Sequence, residues 1–226
     1  GGKAPFIVME DTDIDRAVNA AVIAKFNNCG QICTCNERMY IHESIYEKFV
    51  AGLIEKTSEL VVGDPLNPDT FIGPKVNKAE VDKINQLVQK SVEQGGKVLL
   101  DMTPEMKPTQ NGNWMYPIII EVPNNDNILM HDEIFGPVLP VMKVRDFDQA
   151  LDFANDSEYG LSAYLFTNNA KNIMRAVNEL EFGEVYVNRE NGEMINAFHN
   201  GYKLSGIGGE DGKHGLEGYL QKKTVY

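Results

Sequence analysis

Apolar positions along the chain change period several times, and each change marks an element. Residues 6–9 (Phe-Ile-Val-Met) form an apolar run of strand length, and Asp11-Thr12-Asp13 then offers side-chain oxygens that can cap a helix. Beyond that cap Ile14, Ala17, Val18, Ala21, Val22 and Phe26 recur every three or four residues, so they share one face of a helix that should stop near Gly30. Residues 38–41 read as a strand. Residues 45–60 and 78–94 read as amphipathic helices, the second ended by Gly95-Gly96, a pair suited to a left-handed helix stop. A Pro- and Gly-punctuated loop, 63–74, lies between them. Residues 98–100, 116–122, 138–144, 163–166 and 184–187 read as short apolar strands, and the last three alternate with helices over 147–155 and 169–180. That alternation predicts an α/β fold, with an open, twisted, mostly parallel sheet and helices on both faces. After Asn188 the pattern weakens into Gly-rich loop, and residues 222–226 read as a final extended piece.

Length and composition narrow the reading. At 226 residues and 25.2 kDa the chain suits one large domain with appendages, and 42% hydrophobic with 24% charged residues is an ordinary globular mix. The formal charge of −12 repels phosphate backbones and anionic bilayers, so neither nucleic acid nor a membrane is expected as a partner. Apolar runs fall short of about 18 residues and the start lacks a basic-then-apolar leader, so the predicted setting is cytoplasmic. Three cysteines within seven residues leave an odd thiol after any pairing, which fits a reducing compartment rather than a disulfide framework.

Those thiols are the first candidate chemistry. Cys33 sits on a Gly-containing turn directly after a strongly helical segment. A cysteine is by default a small inert hydrophobe, and a nucleophilic one needs a base, a cation or a helix terminus to raise its thiolate fraction above a few per cent. Cys29, Cys33 and Cys35 with His42 raise the possibility of zinc, but C-x3-C-x-C has no paired knuckle, and no metal is expected. Cys35 reads as a residue supporting Cys33, or as its partner on oxidation. Asp11 to Asp15 imitates a calcium loop, with Arg16 where the turn needs Gly and Val22 where it needs Glu. The run Gly206-Ile207-Gly208-Gly209-Glu210-Asp211-Gly212 imitates a phosphate loop but follows no strand and fits neither nucleotide signature. Two polar stretches remain. His131 to Pro137 reads as a turn into the strand at Val138, and Asn188 to Glu193 with Phe198-His199 as a polar loop after a strand end, where ligand groups gather in open α/β sheets.

Taken together, Gly1-Gly2-Lys3-Ala4-Pro5, Gly30-Gln31-Ile32-Cys33, Glu133-Ile134-Phe135-Gly136-Pro137, Gly160-Leu161-Ser162-Ala163 and 183–188 resemble, in order, the motifs of the aldehyde dehydrogenase superfamily. The resemblance covers essentially every residue and is greatest to the lactaldehyde and glycolaldehyde dehydrogenases. It implies that Cys33 is the nucleophile, with Thr34 beside it in the substrate pocket. It implies that Glu133 binds the nicotinamide ribose hydroxyls of NAD or NADP and that Phe135 packs beside the nicotinamide. Glu193 and His199 are then expected to hydrogen-bond a small hydroxylated aldehyde, and Glu210 to relay protons. The implied layout is a thiol-bearing domain over 1–200, a return segment over 201–218 toward an N-terminal cofactor domain not contained in the chain, and an oligomerisation strand over 219–226 supporting a homo-oligomer, dimer or tetramer. The family's general-base Glu would stand two positions before Gly1, so the isolated chain is expected to be inactive. The alternatives are another aldehyde or semialdehyde dehydrogenase of the superfamily, or a non-catalytic scaffold that keeps the fold.

Overall fold

The computed structural model describes residues 1–104 and 112–226. Strands β1 (Ala4–Val8), β2 (Asn36–His42), β5 (Val138–Val144), β7 (Ser162–Phe166) and β8 (Glu184–Val187) run parallel with β4 (Ile118–Glu121) in one sheet, and β3 (Lys97–Asp101) adds an antiparallel edge. The order is β3-β4-β5-β2-β1-β7-β8. All five residues of β1 and of β7 are buried, so both faces of the sheet centre are covered. This explains why those strands are unbroken apolar runs rather than alternating ones.

Helices α1 (Ile14–Phe26), α2 (Tyr46–Ser58), α3 (Lys78–Glu93), α5 (Phe147–Asn155) and α6 (Ala170–Glu179) fall where the periodicity puts them. Four of these five starts are chemically marked, since Asp13, Asn77, Asp146 and Asn169 each accept a backbone N–H of the first turn, and only α2 begins without a side-chain cap. Four differences from the sequence reading have physical causes. Strand β2 begins at Asn36, two residues early, because Asn36, Glu37 and Arg38 are polar yet buried through specific partners. Strand β4 begins only at Ile118, after Pro117, which has no N–H to give a ladder. The turn-length α4 (Ile128–His131), capped by Asn127, is too short to show a period. The Gly-rich tail contains β9 (His199–Asn200), β10 (Tyr202–Lys203), β11 (Gly209–Glu210) and α7 (Gly212–Gly218), held by local pairing: β10 with β6 (Tyr159–Gly160), and β11 with β9. From Leu220 onward the chain carries no helix or strand and is exposed. Among the described residues no helix is long and apolar enough to cross a membrane.

Among the described residues Arg38 is the largest fully buried side chain, and it fastens three segments. It donates to the Lys3 carbonyl (2.9 Å), to Phe153 (2.9 Å), Ala154 (2.8 Å) and Asp156 (3.3 Å) carbonyls, and to the Tyr40 hydroxyl (3.2 Å). Phe153 and Ala154 belong to the last turn of α5, whose carbonyls have no partner within the helix.

Candidate active site

The thiol turn is built from an abrupt change of handedness. After Phe26 the chain passes through Asn28 (φ 50°), Cys29 (φ 58°) and Gly30 (φ 68°), three successive left-handed residues that reverse it toward β2. Asn28 suits that region, and at Gly30 a side chain is excluded outright, since a Cβ there would lie 2.4 Å from the Gly136 carbonyl oxygen. Gln31 pins the turn, donating to Asn28 O at 3.0 Å and accepting from Val76 N at 2.9 Å. Cys33 emerges exposed, whereas Cys29 and Cys35 are buried. Burial and then the Glu193 carboxylate push the Cys33 thiol up, opposed by the backbone N–H groups of Cys33 and Thr34. Burial drives Cys29 to about 11 and Cys35 to about 12. Cys35 is therefore an interior group facing Lys25 (3.9 Å) and Glu37 (3.6 Å).

The surrounding segments meet at the amino ends of the parallel strands. Cys33 precedes β2, Gly2 precedes β1, Gly136 precedes β5 and Leu161 precedes β7. This departs from the expectation of ligand groups beyond carboxyl ends. The loop leaving β8 at Asn188 instead folds back, so that Glu193 and His199 return to Glu184 at the start of that strand. Gly2 lies against the thiol turn so closely that a Cβ would stand 2.5 Å from Cys33 O.

The loop of Glu133 and Phe135, both half-buried, meets the thiol turn through Gly2 and Gly136. Glu133 Oε1 accepts the Gly2 N–H at 2.7 Å. Phe135 adopts φ 53°, its carbonyl takes the Lys75 ammonium, and Lys75 Nζ also stands 5.4 Å from its ring centre. Behind this loop is a fully buried ionic cluster. Glu37 accepts from Lys3 Nζ (2.9 Å) and Lys25 Nζ (3.2 Å), and from the backbone N–H groups of Ile134 (2.7 Å) and Phe135 (3.0 Å). Burial alone would raise the Glu37 carboxyl, but Lys25, Lys3 and these hydrogen bonds outweigh it and hold it down at about 2. Burial lowers Lys3 to about 8, so it stays charged at neutral pH, and contact with Cys35 and Glu37 raises Lys25 against its own burial.

A separate polar chain begins at Thr34, next to the thiol. Thr34 donates to Glu193 Oε1 (3.0 Å), Tyr186 O–H approaches Glu193 (3.4 Å) and Glu184 (2.8 Å), and Glu184 pairs with His199 Nδ1 (2.9 Å). The ligand atoms of Glu184, Glu193 and His199 lie within 4.8 Å of one another. The Tyr186 ring stacks on Tyr164 at 4.9 Å, and Tyr164 donates to the Thr34 carbonyl, which ties this chain to the core. Glu210 is exposed and pairs in β11 opposite His199. The structure thus brings Thr34, Glu193 and His199 into one connected set beside Cys33, and ties the Glu133–Phe135 loop to the thiol turn through Gly2 and Gly136.

Sequence reasoning missed Glu37, Lys3, Lys25, Glu184 and Tyr186. Two signals were present. Lys25 falls on the apolar face of α1, one turn beyond Ala21 and Val22, where a cation demands a buried partner. Glu184 and Tyr186 are two apart on a strand and so share a face.

A model described as "Aldehyde dehydrogenase family" matches residues 1–225. The chain is 50% identical over 228 residues to 3,6-anhydro-alpha-L-galactose dehydrogenase of Vibrio sp. (strain EJY3), covering 100% of this chain and 47% of that protein. It is 42% identical over 229 residues to lactaldehyde dehydrogenase of Escherichia coli (strain K12), covering 100% of this chain and again 47% of the relative. A solved structure of 3,6-anhydro-L-galactose dehydrogenase in complex with NADP superposes with a TM-score of 0.97 at 49% identity, over 100% of this chain and 48% of that one. The chain therefore spans about half the length of the relatives it matches.

Proposed function

The chain belongs to the aldehyde dehydrogenase family, and from that premise we propose that it forms the thiol-bearing part of an NAD(P)-dependent enzyme oxidising a small hydroxylated aldehyde to its carboxylic acid. The observation that carries this reading is Cys33, the one exposed thiol of three, on a turn against which Gly2, the donor to Glu133, packs and from which Thr34 donates to Glu193.

The chemistry follows from that placement. Cys33 gives up its proton to solvent, its sulfur bonds to the aldehyde carbon as the carbonyl π bond opens, and the oxyanion so formed is held by the Cys33 backbone N–H. A bound nicotinamide supplies the acceptor for the hydride that leaves the same carbon. Water then cleaves the thioester on Cys33, releasing the acid and the thiol. The residues present fit such a cofactor: the Glu133 carboxylate is committed by one oxygen to Gly2 and keeps acceptor capacity for ribose hydroxyls, and Phe135 offers an aromatic wall. In this reading Glu193, and His199 through the ring nitrogen not engaged by Glu184, bind substrate hydroxyls, a role supported by their hydrogen-bonded grouping with Glu184 and Thr34. Two carboxylates here disfavour a semialdehyde, whose own carboxylate they would repel. Glu210 keeps its place as a candidate proton relay. Residues 201–218 read as the segment facing a cofactor domain. The exposed tail, with Leu220, Val225 and Tyr226 at 60%, 83% and 113% exposure, reads as a strand completed by a second copy.

Limited iodoacetamide labelling at neutral pH with peptide mapping tests the nucleophile: Cys33 should react first, and preferential modification of Cys29 or Cys35 would refute it. In a protein of the relatives' full length carrying this chain, Glu193→Ala and His199→Ala should cost about 1–3 kcal/mol more on lactaldehyde or glycolaldehyde than on propanal. Equal losses on all three would make the residues structural.

A further inference from the structure

Glu37 joins two segments that the proposed reaction uses but touches neither reactive atom. Its carboxylate collects five donors: two lysine ammoniums, two consecutive backbone N–H groups and the Cys35 thiol. The acceptors of the two amides are both Glu37 oxygens, Oε2 for Ile134 and Oε1 for Phe135, so one side chain sets the rotation of the peptide unit that orients Phe135. That peptide needs a clamp, because Phe135 is a bulky residue held at φ 53°. Further ties converge on the same loop. Gly2, which follows directly before Lys3, donates to Glu133, and the backbone of Gly136 closes on Gly30 of the thiol turn. Glu37 itself leaves the thiol turn four residues after Cys33, at the start of β2.

We propose that Glu37 is a positioning residue for the dinucleotide: it fixes the Glu133–Phe135 wall and locks that wall to the thiol turn, so that the hydride acceptor and Cys33 share one rigid reference. The assignment of Glu133 and Phe135 rests on the function proposed above. The clamp itself rests on the hydrogen bonds alone. A carboxylate is required because all five neighbours are donors. A carboxamide would turn its own NH2 toward two or more of them, and an aliphatic side chain would leave two ammoniums and two amides buried without acceptors.

The test is Glu37→Gln in a protein of the relatives' full length carrying this chain, read by two quantities that depend on different walls. The dissociation constant for NAD or NADP should rise by about tenfold or more. Acylation of Cys33 by an activated ester without dinucleotide should stay within about threefold, since it needs the thiol and no hydride acceptor. An unchanged dinucleotide affinity, or equal losses in both readouts, would overturn the proposal. Should the variant fail to fold, the unaltered 226-residue chain still decides the clamp. The Ile134 and Phe135 amides should exchange hydrogen at least about 100-fold more slowly than unstructured amides, and unprotected exchange would overturn it. If ester acylation survives Cys33→Ser, the functional reading fails while the exchange rates still judge the clamp.

Discussion

Replacing Arg38 with Met keeps most of the side-chain volume and removes every donor. The loss takes the guanidinium donors from the carbonyls of Lys3, Ala154 and Asp156, while the Phe153 carbonyl keeps the Tyr40 hydroxyl at 3.2 Å, which also reaches Asn125. Each buried carbonyl left unpaired costs about 1–3 kcal/mol, and relief from desolvating the guanidinium returns part of that sum. The net expectation is about 3–5 kcal/mol, a large share of the roughly 5–15 kcal/mol that holds a domain folded. For a chain of this length it corresponds to a melting temperature lower by about 6–20 °C. The Ala154 carbonyl weighs most, because the guanidinium there also neutralises the negative end of the α5 helix dipole. Urea unfolding followed by far-ultraviolet circular dichroism measures the loss. Arg38→Lys should recover less than half of it, since one ammonium cannot span the fork that reaches three segments. A Met variant within about 1 kcal/mol of the parent, with unchanged denaturant slope, would show that water replaces the guanidinium and would refute the reasoning.

Gly30→Ala must both hold a Cβ at φ 68° and displace the Gly136 carbonyl, so it should destabilise by about 2–4 kcal/mol and change the Cys33 alkylation rate; a neutral variant would mean that the turn and the Phe135 loop move apart freely. Acid should expose the Glu37 cluster. With the carboxyl near 2 in the fold against 4.5 ordinarily, its stabilisation is present above about pH 4.5 and is lost as pH falls toward 2. Between pH 5 and pH 3 this amounts to about 2 kcal/mol. The urea midpoint of the parent should therefore fall more steeply over that interval than that of Glu37→Gln, and parallel slopes would count against the depressed carboxyl.

What the sequence displays and what it hides divide along the range of the interactions. The helices of α1, α2, α3, α5 and α6 are written locally, in apolar spacing and in the capping residues Asp13, Asn77, Asp146 and Asn169. The thiol turn is local too, because Asn28 and Gly30 tolerate the left-handed backbone that aims Cys33 outward. The site's two walls are not. Glu37 meets Ile134 and Phe135 across nearly a hundred residues, Thr34 meets Glu193 across 159, and neither pairing leaves a period to detect. Long-range polar pairing announces itself only as a local contradiction, a charge where the pattern asks for an apolar residue. Lys25 on the buried face of α1, and Asn36-Glu37-Arg38 opening an otherwise apolar strand, are two such contradictions. Consistency between levels is what makes a sequence fold to one structure, so the places that break it mark where the fold is bent to a task. Here both breaks lead to Glu37, and from Glu37 to the loop beside the reactive thiol.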